Sequence, residues 1–370
     1  MSSGKCGARS TFAACPIPDS TSPLLVVDLV TDTLGRGVPE VDALVCAAAS
    51  RAPLQAEDET MTAARSKAQG KTKPRLLGRQ RHLLGLLSAL GGRSRNLDFQ
   101  KLLFLYSQEV GTDAPYEFVP YKFGAFSFTS YADRRKLIER GLLADDENCW
   151  QLTNEGARVV GQAQDMYLSA FAKRHRHLRG DALVAETYRR FPYYATRSEI
   201  AERVLDGDIE ALRRIESARP SSIPAPLSTI GYERRTLESY LNVLLEAGVT
   251  LLCDVRRNPM SRKYGFAKRT LATGCDRVGI RYEHLPQLGI APEKRRHLET
   301  QADYDELFEH YRTESLPEQG EALAQIRKWI RAGERVALTC YERLPEQCHR
   351  HCVAAELKRK AGKQLLARHL

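Results

Sequence analysis

Val249-Thr250-Leu251-Leu252-Cys253-Asp254-Val255-Arg256-Arg257-Asn258-Pro259 is the stretch that decides the fold. From Val249 to Cys253 every residue is apolar or β-branched, as suits a central strand covered on both faces, and such coverage belongs to parallel sheets. Charge begins abruptly at Asp254, where that strand ends. Two more runs have the same form: Ser228-Thr229-Ile230 leads into Gly231-Tyr232, and Val336 to Thr339 leads into Cys340-Tyr341-Glu342. Between the runs the period changes to that of a helix. Thr236 to Ala247 shows one apolar face at Leu237, Tyr240, Leu241, Leu244 and Leu245 and stops at Gly248. Further helices are expected near Lys268–Val278, Tyr304–Thr313 and Gly320–Arg331, with one more starting near Gln347. Strands alternating with helices predict an α/β domain over residues 226–370, a Rossmann-like and mostly parallel sheet. Ligands of such sheets bind beyond the carboxyl ends of the strands. The polar residues after each run are therefore expected around one crevice.

Upstream, a different organisation is expected. Over residues 75–162 the leucines 83, 84, 86, 87 and 90 form one helical face, and Asn96 can cap a second helix carrying Phe99, Leu102, Leu103 and Tyr106. A third helix spans roughly Phe128 to Arg140, followed by a hairpin around Asp145-Asp146-Glu147-Asn148. This is a winged-helix order. The third helix is then the one that enters a DNA groove, with Thr129, Ser130, Arg134 and Arg135 as its outward contacts. Residues 163–225 read as a helical connector ending in a proline-rich linker. Residues 1–60 show no sustained period and end at a change of composition. Either Met61 starts the protein and they are an over-extended reading frame, or they form a disordered tail.

The charge is divided unevenly. The chain of 370 residues carries a formal +10, yet residues 1–60 hold four Lys/Arg against eight Asp/Glu, so the body is more basic than the whole. A basic body favours a polyanionic partner, here double-stranded DNA, modified or not. No apolar run approaches the ~20 residues of a membrane helix. The nine cysteines form no repeating framework and follow no signal peptide, which points to free thiols in the cytoplasm.

Asp254 and Glu342 stand at strand ends, where carboxylates can activate water or stabilise a sugar cation. Cys348-His349-Arg350 lies where a helix begins. The backbone N–H groups there, with the Arg350 fork and Cys348 beside it, suit a phosphate, and His349 can serve as acid or base. Arg256, Arg257 and Lys268, interleaved with Tyr264, suit a nucleic-acid backbone and a stacked base. Cys340, Cys348, His349 and Cys352 invite a zinc reading, but the paired Cys-x-x-Cys spacing is absent, so no metal and no other cofactor is expected.

These motifs together, Thr229-Ile230-Gly231-Tyr232, Asp254-Val255-Arg256 with Pro259, Ser261 and Arg262, Tyr282 with His284-Leu285 and Gly289, then Glu342 and Cys348-His349-Arg350, resemble the bacterial and archaeal domain of unknown function 488. The resemblance covers roughly residues 227–365. It adds Tyr232, Ser261 and His284 to the expected substrate-binding set and fixes no reaction. The expected function is that of a DNA-directed enzyme acting on a nucleotide or modified base, by glycosylase-like N-glycosidic cleavage in DNA repair or anti-phage defence, with a nuclease as rival. The alternative is a non-enzymatic DNA-binding regulator whose α/β domain senses a nucleotide or an oxidant.

Overall fold

The computed structural model describes residues 75–161, 165–220, 225–295, 298–361 and 365–370. The expectations for residues 1–60, and for Met61 as the start, lie outside the described residues. All the described residues fall in one compact unit.

The C-terminal half is the parallel sheet that the apolar runs require. Its strands are β5 (Leu227–Gly231), β6 (Leu251–Asp254), β7 (Arg281–His284), β8 (Val336–Cys340) and β9 (Ala367–His369). They lie in the order β7-β6-β8-β5-β9, and every pairing is parallel. The strands β5, β6 and β8 are buried throughout. The edge strands are half exposed, and no apolar run marks them.

Strand parity divides the sheet into two faces. Leu227, Leu251, Cys253, Val336, Leu338 and Cys340 point into one core. It is closed by Phe308 of the helix Gln301–His310, by Leu323 and Ile326 of Gly320–Arg331, and by Val353, Ala354 and Leu357 of Arg350–Ala361. The alternate residues, Leu252, Asp254 and Thr339, point the other way, toward the helices Leu237–Glu246 and Lys268–Arg277. There the Tyr240 hydroxyl donates to Thr339 Oγ1 at 2.7 Å. Right-handed crossovers explain the division: connections that run one way along the sheet fall on one face, and those that return fall on the other.

The N-terminal half opens with the helix Gly78–Ala89, β1 (Arg93–Arg95) and the helix Asn96–Val110. The hairpin β2 (Val119–Tyr121) and β3 (Gly124–Phe126), the helix Phe128–Glu139 and β4 (Cys149–Gln151) follow. β4 pairs antiparallel with β1, and Leu152 bridges back to Leu143 across the polar turn. Aromatic rings fill this core. Trp150 lies 4.6 Å from Phe99 and 5.4 Å from Tyr131, centroid to centroid. Helices Met166–Arg174 and Gly180–Arg190 pack alongside, with Phe191 and Tyr194 edge-on to Phe104.

One carboxylate ties the halves together. Glu238, in the first turn of Leu237–Glu246, is 1 % exposed. It accepts from Thr129 N at 2.7 Å, from Thr129 Oγ1 at 2.9 Å and from Ser127 Oγ at 3.3 Å, so it caps the helix Phe128–Glu139. Tyr264 OH donates to Phe128 O, and Asn242 Nδ2 to Phe118 O, along the same seam.

That seam corrects the expected DNA-reading face. Thr129 is half-buried against Glu238. Ser130 is fully buried, accepting from Gln100 Nε2 at 2.7 Å and donating to Ser127 O. Arg134 is buried as well. It braces the turn by donating to the carbonyls of Asp146 and Cys149, with its guanidinium 5.3 Å from the Trp150 ring centroid. Ser130 and Arg134 are four residues apart and share the inward face of the helix, which is why they go in together. Of the four, only Arg135 is exposed. Among the described residues, no helix is long and apolar enough to cross a membrane.

Candidate functional site

The motif residues do gather at the carboxyl ends of the strands, but they form two clusters rather than one. In register Asp254 faces Thr339, while Thr229 faces Leu338, one residue earlier on the same strand. Neighbouring residues of a strand point to opposite faces. Asp254 therefore lies on one face of the sheet, and the Thr229 side chain that Arg350 touches lies on the other. The expected single crevice holding Asp254, Glu342, His349 and Arg350 does not form.

On the first face Asp254 is fully buried and fully occupied. Arg256 Nε donates to Oδ1 at 2.8 Å and to Oδ2 at 3.1 Å, with Nη2 also on Oδ2. The Arg256 backbone N–H adds a bond at 3.1 Å and the Tyr282 hydroxyl another at 2.6 Å. Arg256 in turn reaches Tyr232 Oη and Phe266 O, and Tyr232 stacks on Phe266 at 4.4 Å between centroids. Burial works against the Arg256 charge, but Asp254 more than offsets it and holds the pKa above the ordinary arginine value. Burial, then the Asp254 charge, likewise raises Tyr282. A carboxylate with every lone-pair direction taken has none left for a water, so Asp254 is a structural ion pair and not a base.

On the second face Arg350, only 1 % exposed, donates to Glu342 O at 2.6 Å, Arg343 O at 2.9 Å and Thr229 Oγ1 at 3.4 Å. The fork expected to hold a phosphate instead clamps the backbone of the loop after β8. That loop crosses β5 at Gly231, where a Cβ would stand 1.8 Å from Glu342 O, so only glycine fits beneath it. The Glu342 side chain pairs with Arg295 from the loop after β7. Burial pushes its pKa up, Arg295 pulls it down, and the balance lies below the ordinary glutamate value.

Beside Glu342 stand Cys340, Cys348 and His349, all buried, with their ligand atoms within 4.8 Å of one another. His349 Nδ1 is 3.8 Å from Cys340 Sγ, and Nε2 is 3.0 Å from Val255 O. Cys352 is not part of the group; its thiol lies against His351 and Arg312. His349 is thus enclosed rather than placed to meet a substrate, which corrects its assignment as acid or base. Burial raises the Cys348 thiol well above its ordinary pKa, which removes the reactive thiolate.

The remaining candidates lie on the rim. Arg257, Lys268 and Arg269 are exposed, and His284 is half-buried, with Nε2 on Arg256 O and Nδ1 facing Lys268 Nζ at 3.1 Å. Ser261 Oγ accepts from Lys263 N within its own turn. Tyr264 is turned to the N-terminal half, where it cannot stack a base in the expected place. Two residues that sequence reasoning passed over are central here. Glu238 had a signal, an acid on the apolar face of its helix; Arg295 had none.

A parallel α/β domain with two closed polar clusters at its strand ends is the class that these observations define. Residues 236–357, about a third of the chain, match the family described as Domain of unknown function DUF488. No curated protein and no solved structure matches the chain.

Proposed function

We propose that the protein binds DNA along the carboxyl rim of its parallel sheet, and that binding rather than turnover is its primary activity. The observation that carries this reading is the rim itself. Arg234, Arg257, Arg262, Lys268, Arg269 and Arg343 are exposed on the segments after β5, β6 and β8. Met260 (79 %), Tyr341 (47 %) and Leu344 (45 %) are exposed among them. Cations beside an exposed ring supply phosphate neutralisation and a stacking platform. On the other half, the exposed Arg135 and Lys136 add to the same charge.

The glycosylase-like reading asks Asp254 or Glu342 to activate water or stabilise a sugar cation. Both carboxylates are committed to arginines, so the regulator-like reading takes precedence. The experiment is a salt titration of duplex affinity. Each lost phosphate contact lowers the slope of log affinity against log salt by about one. Arg257→Ala, Arg262→Ala and Arg269→Ala combined should flatten it by about three while the fold stays intact. An unchanged slope removes the rim from the interface. Product formation from duplexes carrying modified bases, measured by mass spectrometry, would restore the enzyme reading.

A further inference from the structure

The second cluster has the composition and the geometry of a metal site. We infer that Cys340, Cys348, His349 and Glu342 bind one zinc ion, in a closed tetrahedral site that ties the end of β8 to the first turn of the last long helix.

Three observations converge on it. The spacing is right. With Zn–S near 2.3 Å and Zn–N or Zn–O near 2.1 Å, neighbouring ligand atoms of a tetrahedron stand about 3.5 Å apart. His349 Nδ1 is 3.8 Å from Cys340 Sγ, and Glu342 Oε2 is 3.5 Å from the same sulfur. The Cys348 sulfur lies within 4.8 Å of both the others. Cys340, Cys348 and His349 form the preassembled part of the site, and Glu342, whose Oε2 already lies at the Cys340 sulfur, closes it by a side-chain rotation.

The tautomer is right. A carbonyl oxygen only accepts, so His349 Nε2, at 3.0 Å from Val255 O, must carry the ring proton. That leaves Nδ1 as a bare lone pair, aimed at the Cys340 sulfur. Zinc-bound imidazoles have their second nitrogen held in this way. Glu342 is arranged alike: Oε1 goes to Arg295, leaving Oε2 on the thiol side.

The charge is right. Zinc with two thiolates, a carboxylate and a neutral imidazole carries one net negative charge. Arg295 neutralises it directly. Arg350 is buried among backbone oxygens, and among the described residues no carboxylate lies within ion-pair distance of it. A cation in that position is stabilised by an anionic centre at the neighbouring Glu342. Sequence spacing conceals the site because the ligands come as Cys-x-Glu from a strand end and Cys-His from a helix start, not as paired Cys-x-x-Cys. Binding balances simply: two thiol protons leave for solvent as two Zn–S bonds form, and nothing is oxidised.

The test uses the full chain, purified under reducing conditions, with zinc and cobalt as probes. One zinc per chain is expected by elemental analysis. Cobalt in its place should give thiolate charge-transfer bands and the intense visible bands of a tetrahedral centre. Cys340→Ser and Cys348→Ser should abolish those bands, and Cys352→Ser should leave them unchanged. Arg295→Met, which removes only the partner of a ligand, should weaken zinc about 10- to 100-fold. Chelation should lower the melting temperature and zinc should restore it. Should the cysteine variants fail to fold, the wild-type stoichiometry, the cobalt spectrum and Cys352→Ser still decide. Folded wild-type protein that takes up no stoichiometric metal overturns the assignment, as does wild-type zinc affinity in Glu342→Gln. Ready formation of a Cys340–Cys348 disulfide by a mild oxidant in the presence of zinc would also overturn it.

Discussion

Two polar clusters sit within a few residues of the end of β6, one on each face of the sheet, and they are built on opposite plans. Around Asp254 every lone pair meets a donor: Arg256, Tyr282 and a backbone N–H complete the shell. Around Cys340 two thiols, an imidazole nitrogen and a carboxylate oxygen face one another, while on the outside Val255 O accepts the imidazole proton and Arg295 donates to the carboxylate. The first is a finished ion pair and the second is a set of ligands. Convergence of polar residues at strand ends therefore does not define one pocket. The parity of each residue decides which side of a one-strand-thick wall it occupies.

The largest effect that would break this comparison is at Asp254. Asp254→Ala leaves Arg256 buried without its counter-charge, and should cost about 3–5 kcal/mol in urea denaturation. A loss below 1 kcal/mol would show that the pair is not structural.

Lys101 offers a sharper contrast, a buried amine that among the described residues has no carboxylate within ion-pair distance. It is 2 % exposed, its ammonium donates to Ala125 O at 2.8 Å, and burial lowers its pKa to about 7. Between that value and its unfolded value near 10.4 the unfolded chain binds the proton and the folded chain does not. Stability is therefore fullest above the unfolded pKa and falls as the pH drops toward about 7, by up to ~1.4 kcal/mol per unit. Lys101→Met should remove that slope in denaturation series across the window, and an unchanged slope would assign it to other groups.

Tyr282→Phe removes one of several donors from the finished cluster. A cost of about 1–2 kcal/mol is expected, with zinc affinity unchanged because the two clusters lie on different faces. Loss of metal binding in this variant would join what the geometry separates. The smallest effect is expected at Arg135, exposed on the helix Phe128–Glu139. Arg135→Ala should change stability by less than ~0.5 kcal/mol, and reduce only the salt-dependent part of DNA affinity.

Much of the sheet was legible because its central strands are unbroken apolar runs and their helices carry clean apolar faces. The edge strands Arg281–His284 and Ala367–His369 were not, since half-exposed strands need no such run. At the site the local geometry was readable in part. Residues two apart on an extended chain share a face, so the pairing of Asp254 with Arg256, and of Cys340 with Glu342, was implicit in the spacing. What lay beyond the sequence was long-range: Arg295 reaching Glu342, Val255 O fixing His349, Glu238 drawing Ser127 and Thr129 out of solvent, and Gln100 holding Ser130.

Glu238 also bears on how these two halves can change through descent. A buried carboxylate whose three donors belong to Ser127 and Thr129 is a debt held in one half and met in the other. Transplanted without residues 127–129, the α/β half would carry an acid on an apolar helix face. Its lineage would then have to replace Glu238 before the domain could stand alone or accept a different neighbour. Chains that share this N-terminal half should keep an acid at that position together with a hydroxyl-bearing residue opposite. Chains that lack the half should carry neither, and that pairing could be followed through the family as a record of when the halves were joined.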